Sequence, residues 1–483
     1  MANKKRKPKR AKKARLTPTL IIVIVAVAVI VVGTFFALKY TGCLDKILSK
    51  LDNNKTTITT TSQASNTATT TTTTTSNTAT TTTSTSSISS KDGIVENIVY
   101  DDFQINFLEF SSYSAGDSIY IKAGETDILI DGGNKKNSTT EISNQINDYC
   151  TDGELEYVIV THGDQDHIQS FVGTNGLFYK YKVDNLIYNQ KTSKDLTTSK
   201  GNETLYKQFL NSCDYAVSKG ANRTYAHEFF DENGDPLSTA SIQLSDYVTM
   251  KILWNKYYFE NSTNNENNYS VCTLFTYNNG DYERNFLLTG DLEKDGEAAL
   301  VEHYDSSTTD LTLPHCELFK AGHHGSATSS NEALLKLITP DICCVCSCAG
   351  SNEYSTDYNR QFPTQHFINR IAKYTSRVYV TSYWDQNESS FKSMNGKITV
   401  STNGENIGLK ATNNLTKLKD TTWFNEEIYV KDYVEATSTD LDQDASCAKG
   451  ANSKSKGNNT FYTSSDEGTI KVKRRIWPSY GVA

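Results

Sequence analysis

A chain of 483 residues with 48 Lys and Arg against 56 Asp and Glu carries a formal charge of −8, a balance that hides an asymmetry. Residues 1–44 hold ten basic side chains and no acidic one, which leaves 38 bases against 56 acids beyond them, a net −18. So acidic a body excludes general polyanion binding through its surface field. A phosphate substrate would have to be held locally, by metal ions and a few basic groups.

Nine of the basic residues fall within 4–15, ahead of an uncharged run of apolar or small residues over 20–38. At helical rise that run reaches about 28 Å, enough to cross a bilayer core. The basic flank favours the inner side. The pattern therefore predicts a basic cytoplasmic tail over 1–19, one transmembrane helix over 20–38, and an extracellular remainder anchored to the cell membrane. Cleavage with lipidation at Cys43 is the alternative, because Tyr40-Thr41-Gly42-Cys43 resembles a lipoprotein box with Tyr40 in the place of the usual Leu. Residues 39–97 follow as a linker, nearly all Thr, Ser, Asn and Ala from 53 to 90. With almost no apolar surface to bury, it cannot offset its ordering entropy and is expected to be a disordered, exposed stalk.

A globular domain is predicted over 98–412 and a partly mobile extension over 413–483. Runs at 106–110, 118–122 and 126–130 read as a three-strand meander. A helix is expected over 139–149, strands at 155–160 and 185–188, a helix over 204–219, and strands at 248–254 and 269–277. Residues 221–248 look irregular, and the Asn-rich stretch 255–268 reads as a loop at the mouth of a site. Cys343-Cys344-Val345-Cys346-Ser347-Cys348 reads as a buried strand using Cys as a small hydrophobe. A zinc–thiolate knuckle is disfavoured there, because adjacent strand residues face opposite ways. Near the end, Lys471, Lys473, Arg474 and Arg475 suggest an edge strand guarded by charge.

Chemistry concentrates where strands give way to loops. Thr161-His162-Gly163-Asp164-Gln165-Asp166-His167 follows the apolar run 155–160 and offers four metal-binding side chains in six residues. Such a loop can curl round a cation, and imidazole with carboxylate suits zinc, manganese or iron. Asp131-Gly132-Gly133 ends the third strand of the meander; Gly290-Asp291 ends the run Phe286-Leu287-Leu288; and Lys320-Ala321-Gly322-His323-His324-Gly325-Ser326 follows Leu318-Phe319. Each alone is an ordinary turn, but together they form a consistent set.

These motifs resemble the metallo-β-lactamase superfamily, and within it the hydrolase domain of the competence protein ComEC, over roughly residues 103–410. Asp164 stands where the superfamily's general loop has a middle His, as that branch also has it. The branch's opening Leu-Asp-Val-Gly-Gln-Gly-Asp is replaced by Leu108-Glu109-Phe110 and, after an insertion, Gly116-Asp117-Ser118. Its downstream His-Pro is replaced by Phe362-Pro363. The resemblance implies an α+β fold, an αββα sandwich with two divalent ions, zinc or manganese, between its sheets. It implies metal ligands His162, Asp164, Asp166, His167, Asp291 and His323, with Asp131 orienting the His162 loop. A hydroxide bridging ions about 3.5–4 Å apart would attack a phosphodiester, with Asp166 or Asp164 taking the proton. His324 is expected to hydrogen-bond or touch substrate, and Lys320, Ser326 and Thr328 to hold a phosphate oxygen. The implied activity is a nuclease or other phosphodiesterase. A surface-binding protein without turnover and a hydrolase of non-phosphate esters or amides are the alternatives.

Overall fold

The computed structural model describes residues 93–431 and 469–479, apart from 112–115, 135–137, 306–310, 354 and 356. The expected basic tail, membrane helix and all but residues 93–97 of the Thr-rich linker, with Cys43 and most of the C-terminal extension, lie outside these residues. Among the described residues no helix is long and apolar enough to cross a membrane.

The chain builds one sheet, crosses to a second, and returns. Strands β1 (Ile94–Glu96), β2 (Phe103–Phe107), β3 (Ile119–Ala123), β4 (Thr126–Ile130), β5 (Glu154–Val160), β6 (Lys182–Tyr188) and β7 (Asn222–Tyr225) belong to the first sheet. The second holds β8 (Ser241–Gln243), β9 (Val248–Leu253), β10 (Cys272–Asn278), β11 (Glu283–Leu288), β12 (Leu318–Lys320), β13 (Ile342–Ala349), β14 (Val378–Asp385) and β15 (Ser390–Ser393). Strands β16 (Ile398–Thr402) and β17 (Ile407–Ala411) then rejoin the first sheet, giving the order β1-β17-β16-β2-β3-β4-β5-β6-β7. β18 (Glu427–Lys431) and β19 (Thr469–Lys473) make a separate antiparallel pair.

Among the described residues, period-two alternation along the strands produces three cores. Ile128 and Ile130 of β4 share a central cluster with Phe286 and Leu288 of β11 and with Cys344 and Cys346 of β13, so this core lies between the sheets. Leu129 and Val158 face outward to α1 (Ser138–Ile146) and to α4 (Leu205–Ser218), which follows the one-turn helices α2 (Gln165–Ile168) and α3 (Leu177–Lys180). Leu287, Phe319 and Cys343 face the other way, towards α5 (Lys294–His303), α6 (Glu332–Ile338) and α7 (Gln365–Ile371). The described architecture is thus helix, sheet, sheet, helix in layers. β13 is buried along its whole length, with its cysteines packed as small apolar side chains on both faces.

Several expectations shift. The sheet begins at Ile94, inside the stretch expected as linker, where β1 pairs in parallel with β17. Residues 221–248 carry β7 and β8 rather than irregular chain. The charged edge at the end of the chain is corrected most strongly. Arg474 and Arg475 are buried, Arg474 paired with Glu426 at 2.8 Å and Arg475 donating to the carbonyls of Pro363 at 2.9 Å and Gln361 at 2.7 Å. Lys471 and Lys473 stay exposed on the two-stranded sheet, as expected, but the chain just after them docks on the 358–363 loop.

Candidate metal centre

β4 and β5 run parallel in the first sheet, and β11 and β12 run parallel in the second. Asp131, the His162 loop, Asp291 and the His323-His324 turn therefore all leave the carboxyl ends of strands, where side chains escape the ladder and converge. β3 is antiparallel to β4, with Ile119 opposite Ile130. Its leading end thus brings Asp117 to the same edge. Gly116 permits this approach: its φ is +121°, and a Cβ there would stand 2.5 Å from the Asp166 carbonyl oxygen. Asp131, His323 and His324 hold left-handed backbone at φ of +62°, +42° and +53°. Non-glycine residues do so at a cost of about 1–3 kcal/mol each, and such strain gathers at functional sites.

Three imidazoles aim the same nitrogen inward. His167 Nδ1 lies 2.8 Å from Asp131 Oδ2 and His324 Nδ1 lies 2.8 Å from the Cys346 carbonyl. Both partners only accept, so each Nδ1 carries a hydrogen and the Nε2 of the neutral ring keeps its lone pair. His167 Nε2 sits 3.1 Å from Asp291 Oδ2; His324 Nε2 sits 3.2 Å from the same oxygen and 3.3 Å from Asp166 Oδ2. His162 Nδ1 is 3.1 Å from the Thr161 hydroxyl, while its buried Nε2 has no hydrogen-bond partner among the described residues, with Asp164 Oδ2 3.5 Å away. Asp131 also accepts the Thr161 N–H at 2.8 Å and hydroxyl at 2.7 Å, so one carboxylate fixes both ends of the loop.

The carboxylates bear on these rings. Burial opposes the charge of His167 and His324, yet Asp291 with Asp131, and Asp291 with Asp117, hold both rings well above the usual histidine range. Burial likewise opposes ionisation of Asp166 and Asp291, but the neighbouring imidazoles and, for Asp291, Lys320 keep them well below the usual carboxylate range. Asp164 is also lowered against burial, by His162 and Lys194. Such a donor set holds protons on the nitrogens a metal would take, and metal binding would displace them.

Lys320 is committed elsewhere than expected. Its ammonium is fully buried, 2.8 Å from the Gly290 carbonyl, 2.5 Å from Asp117 Oδ2 and 3.1 Å from Asp291 Oδ1. It compensates two carboxylates and has no path to a phosphate oxygen. His323 departs from its expected place too. Its Nδ1 lies 2.8 Å from Glu293 Oε1 and 3.3 Å from Asn267 Nδ2, while the neighbouring His324 takes the central position. Ser326 and Thr328 belong to the same Glu293 cluster: Thr328 donates its hydroxyl to Glu293 at 2.9 Å, leaving the Ser326 hydroxyl to donate to Thr328 at 2.9 Å. Burial opposes the charge of Glu293, but His323 and, after it, the hydrogen bonds from Asn267 and Thr328 hold it below the usual glutamate range. Behind this loop, Glu297 accepts the N–H groups of Ser330 at 2.6 Å and Asn331 at 2.8 Å, and Arg370 donates to the carbonyls of Ser329 at 2.7 Å and Ser330 at 2.9 Å.

The residues fit divalent ions. Donor atoms of His162, His167 and Asp291 lie within 4.8 Å of one another, as do those of Asp166, His167 and His324, and those of Asp117, Asp291 and His324. A buried imidazole nitrogen without a hydrogen-bond partner, as at His162, is what a missing cation leaves behind. Sequence reasoning missed four contributors: Asp117, Glu293, Lys194 and Glu266, whose carboxylate accepts the Gly163 N–H of the His162 loop at 2.8 Å. The signal for Asp117 was the displaced Gly116-Asp117-Ser118; the others carry no local motif.

The layered fold is similar to solved metallo-β-lactamase fold proteins. One is YhfI from Bacillus subtilis, at 11% identity over 51% of this chain and 86% of that one, with a TM-score of 0.28. Another is the metallo-β-lactamase GOB-18 from Elizabethkingia meningoseptica, at 14% identity over 44% and 67%, with a TM-score of 0.23. A third is the flavodiiron protein from Giardia intestinalis, at 17% identity over 38% and 33%, with a TM-score of 0.22. No family model and no curated protein matches the sequence.

Proposed function

We propose that this chain is a metal-dependent hydrolase of phosphodiesters, nucleic acid among them, held outside the cell membrane by its single N-terminal span. The observation that carries the chemistry is the convergence of two imidazole Nε2 atoms, His167 and His324 from the two sheets, on the carboxylates of Asp291 and Asp166, with His162 Nε2 facing Asp164 beside them. His162, Asp164, Asp166, His167 and Asp291 form the ligand set expected from the sequence, with His324 in the place first given to His323. Their overlapping triads support two ions, and a nitrogen and oxygen set without thiolate suits zinc or manganese. Such ions, when bound, supply Lewis acidity and bring the pKa of a coordinated water to about 7.

The protein's own residues do the rest. Asp131 holds His167 in the tautomer that presents Nε2, and Cys346 does the same for His324. Lys320 occupies Asp291 Oδ1 and leaves Oδ2 for metal. Lys194 and His162 face the two oxygens of Asp164, so Asp166, in the same loop and with its side chain 14% exposed, is the carboxylate that takes the proton. The motif resemblance to the ComEC hydrolase domain favours a phosphodiester over a lactam, and Asp164 in the middle-His position supports that choice. The test is turnover of a bis-aryl phosphodiester and of linear DNA by the purified chain loaded with zinc or manganese. Turnover abolished by a chelator and by Asp291→Ala is expected. Metal binding with hydrolysis of a neutral ester but of neither phosphodiester would assign another substrate. Surface labelling of intact cells should reach the catalytic domain; labelling only after lysis would refute the outward orientation.

A further inference from the structure

Among the described residues, two lysines rest on carboxylates of the centre, and only one of these is open to a ligand. Lys320 is fully buried and shares its charge between Asp117 and Asp291. Lys194 is 31% exposed, and its ammonium pairs with Asp164 Oδ1 at the rim. The other oxygen of Asp164, Oδ2, faces His162 Nε2. Asp164 can therefore bind an ion through Oδ2 while keeping Lys194 on Oδ1, which fixes a positive charge one carboxylate's width from the metal. An ammonium has three N–H donors; one on Asp164 leaves two for an anion.

The backbone carrying Lys194 is tied to the centre. The buried carboxylate of Glu266 accepts the Gly163 N–H at 2.8 Å in the His162 loop, and from the next segment the Thr192 hydroxyl at 2.9 Å, the Ser193 N–H at 2.6 Å and the Ser193 hydroxyl at 2.8 Å. Thr192 Oγ1 in turn accepts the Lys194 N–H at 2.9 Å. Asn189, at the start of that segment, donates to the carbonyls of Tyr257 at 3.2 Å and Tyr269 at 3.0 Å. One acid thus locks the metal loop and the lysine-bearing segment together. An ordinary surface lysine has no such backbone anchorage, and ordinary surface pairs contribute little.

We infer that Lys194 is the anion-recognition residue of this centre, binding a non-bridging oxygen of a phosphate or phosphodiester beside the metal. The inference rests on the hydrolase reading for its substrate, but phosphate binding tests it without turnover. The full chain loaded with zinc or manganese would be compared with Lys194→Gln and Lys194→Arg. The measurements are bound metal per chain, the Kd for inorganic phosphate by calorimetry, and KM and kcat for a bis-aryl phosphodiester. In Lys194→Gln, Kd and KM should both rise about tenfold with metal content and kcat held, the loss expected for one charged contact. Lys194→Arg should restore most of it. Unchanged Kd and KM in Lys194→Gln would overturn the inference, as would loss of bound metal, which would make Lys194 a support of Asp164. Lys194-dependent phosphate binding without turnover would instead sink the hydrolase reading alone.

Discussion

Lys320 on Asp291 and Lys194 on Asp164 are the same contact, an ammonium on Oδ1 of a carboxylate whose Oδ2 faces an imidazole Nε2. Their surroundings make them different devices. Lys320 and Asp291 are each about 1% exposed, and Asp117 closes the far side. There the ion pair is internal charge compensation, and removing one partner strands the other in low dielectric. Lys194 and Asp164 are 31% and 26% exposed, so water screens the pair and weakens it. Burial, rather than the contact, decides which lysine holds the site together and which is available to a ligand.

The comparison can be sharpened by variants, beginning with the largest expected effect. Asp291→Ala removes the carboxylate shared by His167, His324 and Lys320, and should lower kcat for a phosphodiester by about 10³-fold or more. Retained activity in a clean preparation would break the ligand assignment. Lys320→Met should cost about 3–5 kcal/mol of stability without metal, because it leaves Asp117 and Asp291 buried and uncompensated. Denaturant unfolding would read this, and added zinc or manganese should recover part of the loss. A neutral effect would show that the buried pair is dispensable. The two adjacent histidines should separate next: His324→Ala should lose bound metal, whereas His323→Ala should keep it and cost about 1 kcal/mol from its lost bond to Glu293. Metal content per chain decides between them. The smallest stability effect belongs to Lys194→Gln, within about 1 kcal/mol of wild type. An unfolding midpoint lowered as far as that of Lys320→Met would erase the contrast between the two pairs.

The parts of this site legible in the sequence were those set by short-range pattern. An apolar run followed by Gly-Asp or by a His-bearing loop places a functional side chain at a strand end, and Asp131, the His162 loop and Asp291 all stand there. The choice between His323 and His324 was not legible. Both have left-handed backbone, so no simple alternation tells which ring turns inward, and Glu293, thirty residues away in sequence, takes the first. Lys320 read as a phosphate contact because it lies three residues from His323 in sequence. Its neighbours in space are Asp117 and Asp291, one from each sheet. Arg474 and Arg475 read as exposed charge for a similar reason, since their partners at Glu426, Gln361 and Pro363 come from chain distant in sequence. Alternation along the chain marked single strands and helices; the layered fold was expected only through the motif resemblance. The all-buried Cys-rich strand, β13, was also recognisable, because small apolar side chains on both faces leave no polar face to interpret.

The most direct test of the account is the metal content of the purified chain, wild type against His324→Ala, after stripping and reloading with zinc or manganese. The account predicts about two ions per wild-type chain and loss of at least one in His324→Ala, with His323→Ala unchanged. A wild-type chain that takes up no stoichiometric metal, or one that loses metal through His323 and not His324, would contradict it.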